Sequence, residues 1–169
     1  MKTKNLIIGL FLIGFSTILG AQDYTKLKEI ALKDKSDYQK NESLVLECAN
    51  YILNSQYNLL DKDLNHTNAQ LFIIKWMGGT PDYMFSIDET IGKATKSSAN
   101  LLAVYLAASV KYVLENKEMA SNENEVKYNS ILLFLDYCKD ATKNVKVNGE
   151  IKKMIKANEE NTLREYLKL

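Results

Sequence analysis

Chemistry has few places to sit in this chain. His66 is the only histidine, so any histidine-based nucleophile activation or acid–base step must pass through it. It stands at the expected start of a helix in a polar setting, where a solvated histidine is the simplest reading. Asp82, Asp88 and Glu89 lie close together in the chain. Paired carboxylates can divide acid and base roles, and their oxygens also suit calcium. Asp88 and Glu89 are equally ordinary first-turn helix residues that favour the helix dipole. Cys48 and Cys138 are the only cysteines; with a single histidine they fall short of a structural zinc site. Each sits in an apolar stretch of an expected helix, where a free thiol packs well, although export would make a disulfide chemically possible. No HExxH, paired CxxC, phosphate-binding glycine loop or GxSxG occurs. These residues imply neither a cofactor nor a metal.

Lys139, Lys143, Lys146, Lys152, Lys153 and Lys156 make a loose basic region, opposed by Asp140 and Glu150. Such a run reads as a solvated face first and as a surface for anionic lipid or glycan second. The most distinctive stretch is Trp76-Met77-Gly78-Gly79-Thr80-Pro81-Asp82-Tyr83-Met84-Phe85. In a structural reading, Trp76 and Phe85 staple two helical hairpins while Thr80 and Asp82 satisfy backbone donors in the turn. In a binding reading, Trp76, Thr80, Asp82, Tyr83 and Met84 present a surface to a partner, as loops on rigid scaffolds often do.

On this stretch the chain resembles an uncharacterised family of small exported helical proteins from Bacteroidetes bacteria. Its members carry a W-M-x-G-T-P-D-Y segment followed by a helix rich in Leu, Tyr and Ala. Trp76, Met77, Gly79, Thr80, Pro81, Asp82 and Tyr83 match, and Gly78 takes the variable position. The likeness runs from about residue 71 to the C-terminus. It implies a compartment and an all-helical fold rather than a reaction.

The elements that must position these residues are helices. Residues 101–114 read LLAVYLAASVKYVL, with only Ser109 and Lys111 plainly polar. A helix apolar on nearly every side must be covered on nearly every side. At about 1.5 Å per residue it reaches roughly 21 Å, short of the roughly 30 Å core of a bilayer. It is therefore expected as a central helix over about 98–116. Around it, helices are predicted over 24–35, 41–55, from about 65 to Met77, 86–96, 122–139 and from 151 onward, with a break near Asn158. The stripe of the third helix is Ala69, Phe72, Ile73 and Trp76, widened by Leu71 and Ile74. Thr67 with Gln70, and Ser86 with Glu89, fit capping boxes. Asn122 with Glu125 starts a further helix. Gly78-Gly79 suits a left-handed helix stop, and Asn148-Gly149 suits a turn. The prediction is an all-α fold of about seven helices, packed as antiparallel hairpins around the central one.

The first 21 residues read as a secretory signal peptide. Lys2 and Lys4 precede the uncharged apolar run Leu6 to Leu19, and Gly20-Ala21 forms a small-residue end. Residues 22–169 then form a single all-α domain, periplasmic or secreted, with no integral membrane segment after cleavage. Without Lys2 and Lys4 the 22 basic side chains become 20 against 21 acidic ones, a net charge of −1. That balance argues against nucleic acid as a partner. The leading expectation is an exported interaction module of the cell envelope, without cofactor, that binds another envelope protein. A small hydrolase-like periplasmic enzyme using carboxylates near the 78–89 loop is the competing class, and a purely structural envelope component is the third.

Overall fold

The computed structural model describes residues 23–62 and 64–169; the expected leader lies outside the described residues. The chain is all-α, and no strand occurs among the described residues. The α-helices are α1 (Lys35–Lys40), α2 (Glu42–Asn54), α3 (Leu64–Met77), α4 (Glu89–Thr95), α5 (Ala99–Glu115), α6 (Glu123–Lys139), α7 (Gly149–Glu159) and α8 (Leu163–Tyr166). Short 3-10 turns punctuate them, the first over Tyr24–Glu29. No described helix is long and apolar enough to cross a membrane.

α5 occupies the centre for the reason its composition gives. Its Ser98 cap accepts from Asn100 N, and from Leu101 to Leu114 nearly every side chain is buried. α2, α3, α4 and α6 all pack against it. Ala103, Ala107 and Ala108 are small enough to let those neighbours approach. Lys111 Nζ donates to Asn50 Oδ1 at 3.0 Å, and Lys117 pairs with Glu42 at 2.5 Å. Positions rise along one helix as they fall along the other, so α2 and α5 run antiparallel.

Several expected elements are corrected. Tyr24 begins a 3-10 turn that ends at Glu29, not a helix to residue 35. The charged residues between the helices predicted over 24–35 and 41–55 form α1, because the Asp34 carboxylate accepts from Ser36 N and Asp37 N in a capping box. Thr67 and Gln70 do not open α3, which already runs at Leu64; Gln70 Nε2 donates to Leu60 O at 2.9 Å. Ser86 does not cap α4. Asp88 does, accepting from Ile91 N at 3.0 Å. Asn148 caps α7 through Glu150 N and Ile151 N, and its amide nitrogen donates to Ala94 O at 2.7 Å, clipping α7 to the end of α4. The late break falls at Asn161, a left-handed residue with φ 57°, rather than near Asn158. Thr162 N then bonds Ala157 O at 2.8 Å.

Candidate functional site

α3 carries both groups that the residue types single out, one at each end. At its start His66 is buried, 5% exposed, contrary to a solvated histidine. Its ring stacks on Tyr51 at 4.5 Å, and Tyr51 in turn meets Tyr24 at 4.9 Å. His66 Nε2 lies 2.8 Å from Ser55 Oγ. The Ser55 hydroxyl donates to Tyr51 O at 2.8 Å, so its one proton is committed and the imidazole serves as its donor. That is the reverse of the polarity a histidine-activated serine needs. Tyr137 Oη donates to Ser55 O at 3.0 Å and brings α6 to the same point. The group is a polar knot tying α2, α3 and α6.

The signal for this burial was present in the sequence. His66, Ala69, Ile73 and Trp76 share one helix face at spacings of three and four. Leu71 and Ile74, expected to widen that face, lie outside it and are exposed.

At the far end of α3, Trp76 has no exposed surface. Its indole N–H donates to Tyr38 O at 3.0 Å, and its ring meets Tyr83 at 5.6 Å and Phe85 at 6.2 Å. Gly79 is required for close approach rather than for a left-handed backbone, since no described glycine has positive φ. A Cβ there would stand 2.0 Å from Tyr38 Oη and 2.7 Å from its Cζ. Thr80 N bonds Trp76 O at 2.9 Å, which closes α3. Asp82 does not satisfy turn donors. Its carboxylate takes the Lys35 ammonium and the Gln39 amide of α1, the latter at 2.9 Å. Those bonds hold its carboxyl below the ordinary range. Tyr83 Oη donates to Glu42 Oε1 at 2.8 Å, and Glu42 also receives Lys117. Burial first, then the bond to Glu42 and its charge, push the Tyr83 phenol well up.

Trp76, Tyr83 and Asp82 thus pin the loop to α1 and α2 from three directions. What the loop presents outward is Met84, 70% exposed, and Ile87, 53% exposed. Beside Met84 a cleft of about 60 Å³ opens between the loop, α5 and α6, lined by Phe85, Ser86, Tyr105, Ser109, Glu123, Val126 and Lys127.

The three candidate carboxylates are held apart by separate partners. Asp82 is tied to α1, and Glu89 pairs with Lys93 at 2.8 Å. Asp88 pairs with Lys127 at 2.6 Å. Burial pushes the Asp88 carboxyl up, but Lys127 and the α4 backbone outweigh it, so its value falls below the ordinary one. All three carboxyls are lowered, which suits bound anions and not a proton-holding general acid. No cluster of metal-ligating side chains occurs among the described residues. Cys48 and Cys138 are both free and buried, and burial pushes each thiol up to about 12, far from a reactive thiolate.

Four of the six lysines of the late basic region are engaged by separate partners. Lys143 donates to Asn54 O at 2.8 Å and lies over the Tyr137 ring. Lys139, Lys153 and Lys156 each meet an acid of their own helix or its end. No family model, curated protein or solved structure matches this chain.

Proposed function

We propose that the protein is an exported interaction module of the bacterial cell envelope, periplasmic or secreted, which binds another envelope protein through the loop of residues 80–87. One observation carries the reading: a loop fixed at Trp76, Asp82 and Tyr83 holds Met84 and Ile87 out to solvent. Large apolar side chains on a pre-organised loop lose little entropy on binding, which is what a contact surface needs. The leader-like start, with Lys2 and Lys4 before an apolar run, supports the address. The W-M-x-G-T-P-D-Y segment supports placing the chain with the small exported helical proteins it resembles.

The test is a cross-linked pull-down from native envelopes. The bait spans residues 22–169 and is compared with a Met84→Asp/Ile87→Asp variant of equal thermal stability. The reading expects a partner held by the first bait and depleted about tenfold or more by the second, the loss that about 1.4 kcal/mol of binding energy produces. Equal capture by both baits overturns the loop as the site.

A further inference from the structure

The cleft beside Met84 has an unusual polar lining. Tyr105 Oη donates to Ser86 O at 3.2 Å, and Ser109 Oγ donates to Tyr105 O at 3.0 Å. Each hydroxyl donates to a backbone carbonyl, and a side-chain bond between Ser109 and the Tyr105 phenol uses part of the remaining capacity. Both side chains line the cleft and are more than nine-tenths buried, and with their donors in use they can offer it acceptor oxygens. Lys127 spends its bonds elsewhere, on Asp88 Oδ2 at 2.6 Å and Leu167 O at 3.2 Å, and Asp88 cancels its charge. Glu123, exposed at the start of α6, makes no ion pair among the described residues. The lining therefore offers acceptor oxygens, and Glu123 adds at the mouth, on the first turn of α6, a carboxylate without a side-chain counter-ion among the described residues. Phe85, Val126 and Met84 supply apolar walls.

We propose that this cleft receives a lysine or arginine side chain presented by a partner protein. The inference rests on the interaction-module reading and names the chemistry of its partner. An alkyl stem lies against Met84, Phe85 and Val126 while the cationic tip gives protons to Tyr105 Oη, Ser109 Oγ and the Glu123 carboxylate. At about 60 Å³ the space holds the end of one side chain; small-molecule pockets start at roughly 300 Å³. The exposed Met84 and Ile87 then cover the backbone that carries it.

The test uses the peptide acetyl-Gly-Leu-Lys-Leu-Gly-amide and three relatives with arginine, norleucine or glutamate at the central position. Binding is followed through the Met84 and Val126 methyl resonances of the folded protein. The lysine and arginine peptides are expected to bind about tenfold more tightly than the norleucine and glutamate peptides, the gain of a charge-assisted hydrogen bond. Glu123→Gln should abolish most of that preference with the thermal midpoint unchanged. Equal binding of the norleucine peptide, preference for glutamate, or no methyl shift at about 1 mM peptide overturns the proposal. Methyl shifts that change on diluting the protein alone also overturn it, since a second copy then fills the cleft. A pull-down partner lost with the loop variant, together with no lysine preference, sinks this inference alone. A lysine preference with equal capture by both baits sinks the broader reading instead.

Discussion

The two ends of α3 make the same kinds of contact for opposite purposes. At the start, His66 stacks on half-buried Tyr51 and bonds half-buried Ser55, and His66 itself is buried with Tyr137 behind them. At the end, Trp76 meets Tyr83 and Phe85 and bonds Tyr38 O, but the chain it anchors turns back to the surface. The first is a knot between helices. The second is a mounting for a loop. A lone histidine draws attention to the first end, and composition alone cannot tell a mounting from a knot. The adjoining chain makes the distinction: α3 continues directly from the knot, whereas Pro81 and the segment to Asp88 lead away from the mounting.

Truncating either end separates the two roles. Trp76→Ala should cost about 3–5 kcal/mol, the usual range for emptying a buried aromatic site, and should speed amide exchange across residues 80–88. His66→Ala should cost less, about 2–3 kcal/mol, since it removes the stacking on Tyr51 and the bond to Ser55 from a smaller buried side chain. It should leave the Met84 methyl resonance where it was. A Met84 shift in His66→Ala would break the comparison, because the two ends would then be coupled through α3.

Gly79→Ala sharpens the mounting itself. The added Cβ overlaps the Tyr38 ring, while Trp76 holds the Tyr38 carbonyl in place. The ring must rotate away, at about 1–3 kcal/mol for an overpacked site. In a Tyr38→Ala background the same change should be nearly silent in denaturant titrations. Equal costs in both backgrounds would locate the penalty in the backbone instead.

The smallest effects concern pH. Asp88 lies below its ordinary value of 3.8 when folded, so its contribution is present above pH 3.8 and drains as pH falls beneath it. Asp88→Asn keeps the helix cap and loses the ion pair, a change of about 0.5 kcal/mol at neutral pH. On the alkaline side, burial pushes the Tyr105 phenol from 10.0 up to about 12, with Ser109 opposing and the Asp88 charge adding. The folded state therefore holds that proton more tightly. Its contribution is whole below pH 10.0 and is lost as pH rises toward 12. Denaturant midpoints should be flat near neutrality and fall above pH 10.0, and Tyr105→Phe should shallow that fall.

The sequence alone determined the helical class, the central position of α5 and the bounds of α2, α5 and α6 to within a residue or so. Those features rest on local periodicity and caps: the apolar run 101–114, and Asn122 before Glu125, whose N–H the Asn122 side chain accepts at 3.2 Å. It did not determine α1, where a charged stretch became helical through the Asp34 capping box and the docking of Tyr38 against Gly79. The three-and-four spacing of His66, Ala69, Ile73 and Trp76 marked the inward face, but the partners that receive His66 there, Tyr51 and Ser55 at the end of α2 and Tyr137 from α6, were set by packing. The candidate loop was visible as a crowd of aromatics and methionines. Which of them it hides and which it shows was decided only when Tyr38, Glu42 and Lys35 met it. Trp76 and Met84 are both large and apolar, yet one is buried and the other exposed; long-range partners assign each its side, and those partners are set by tertiary packing.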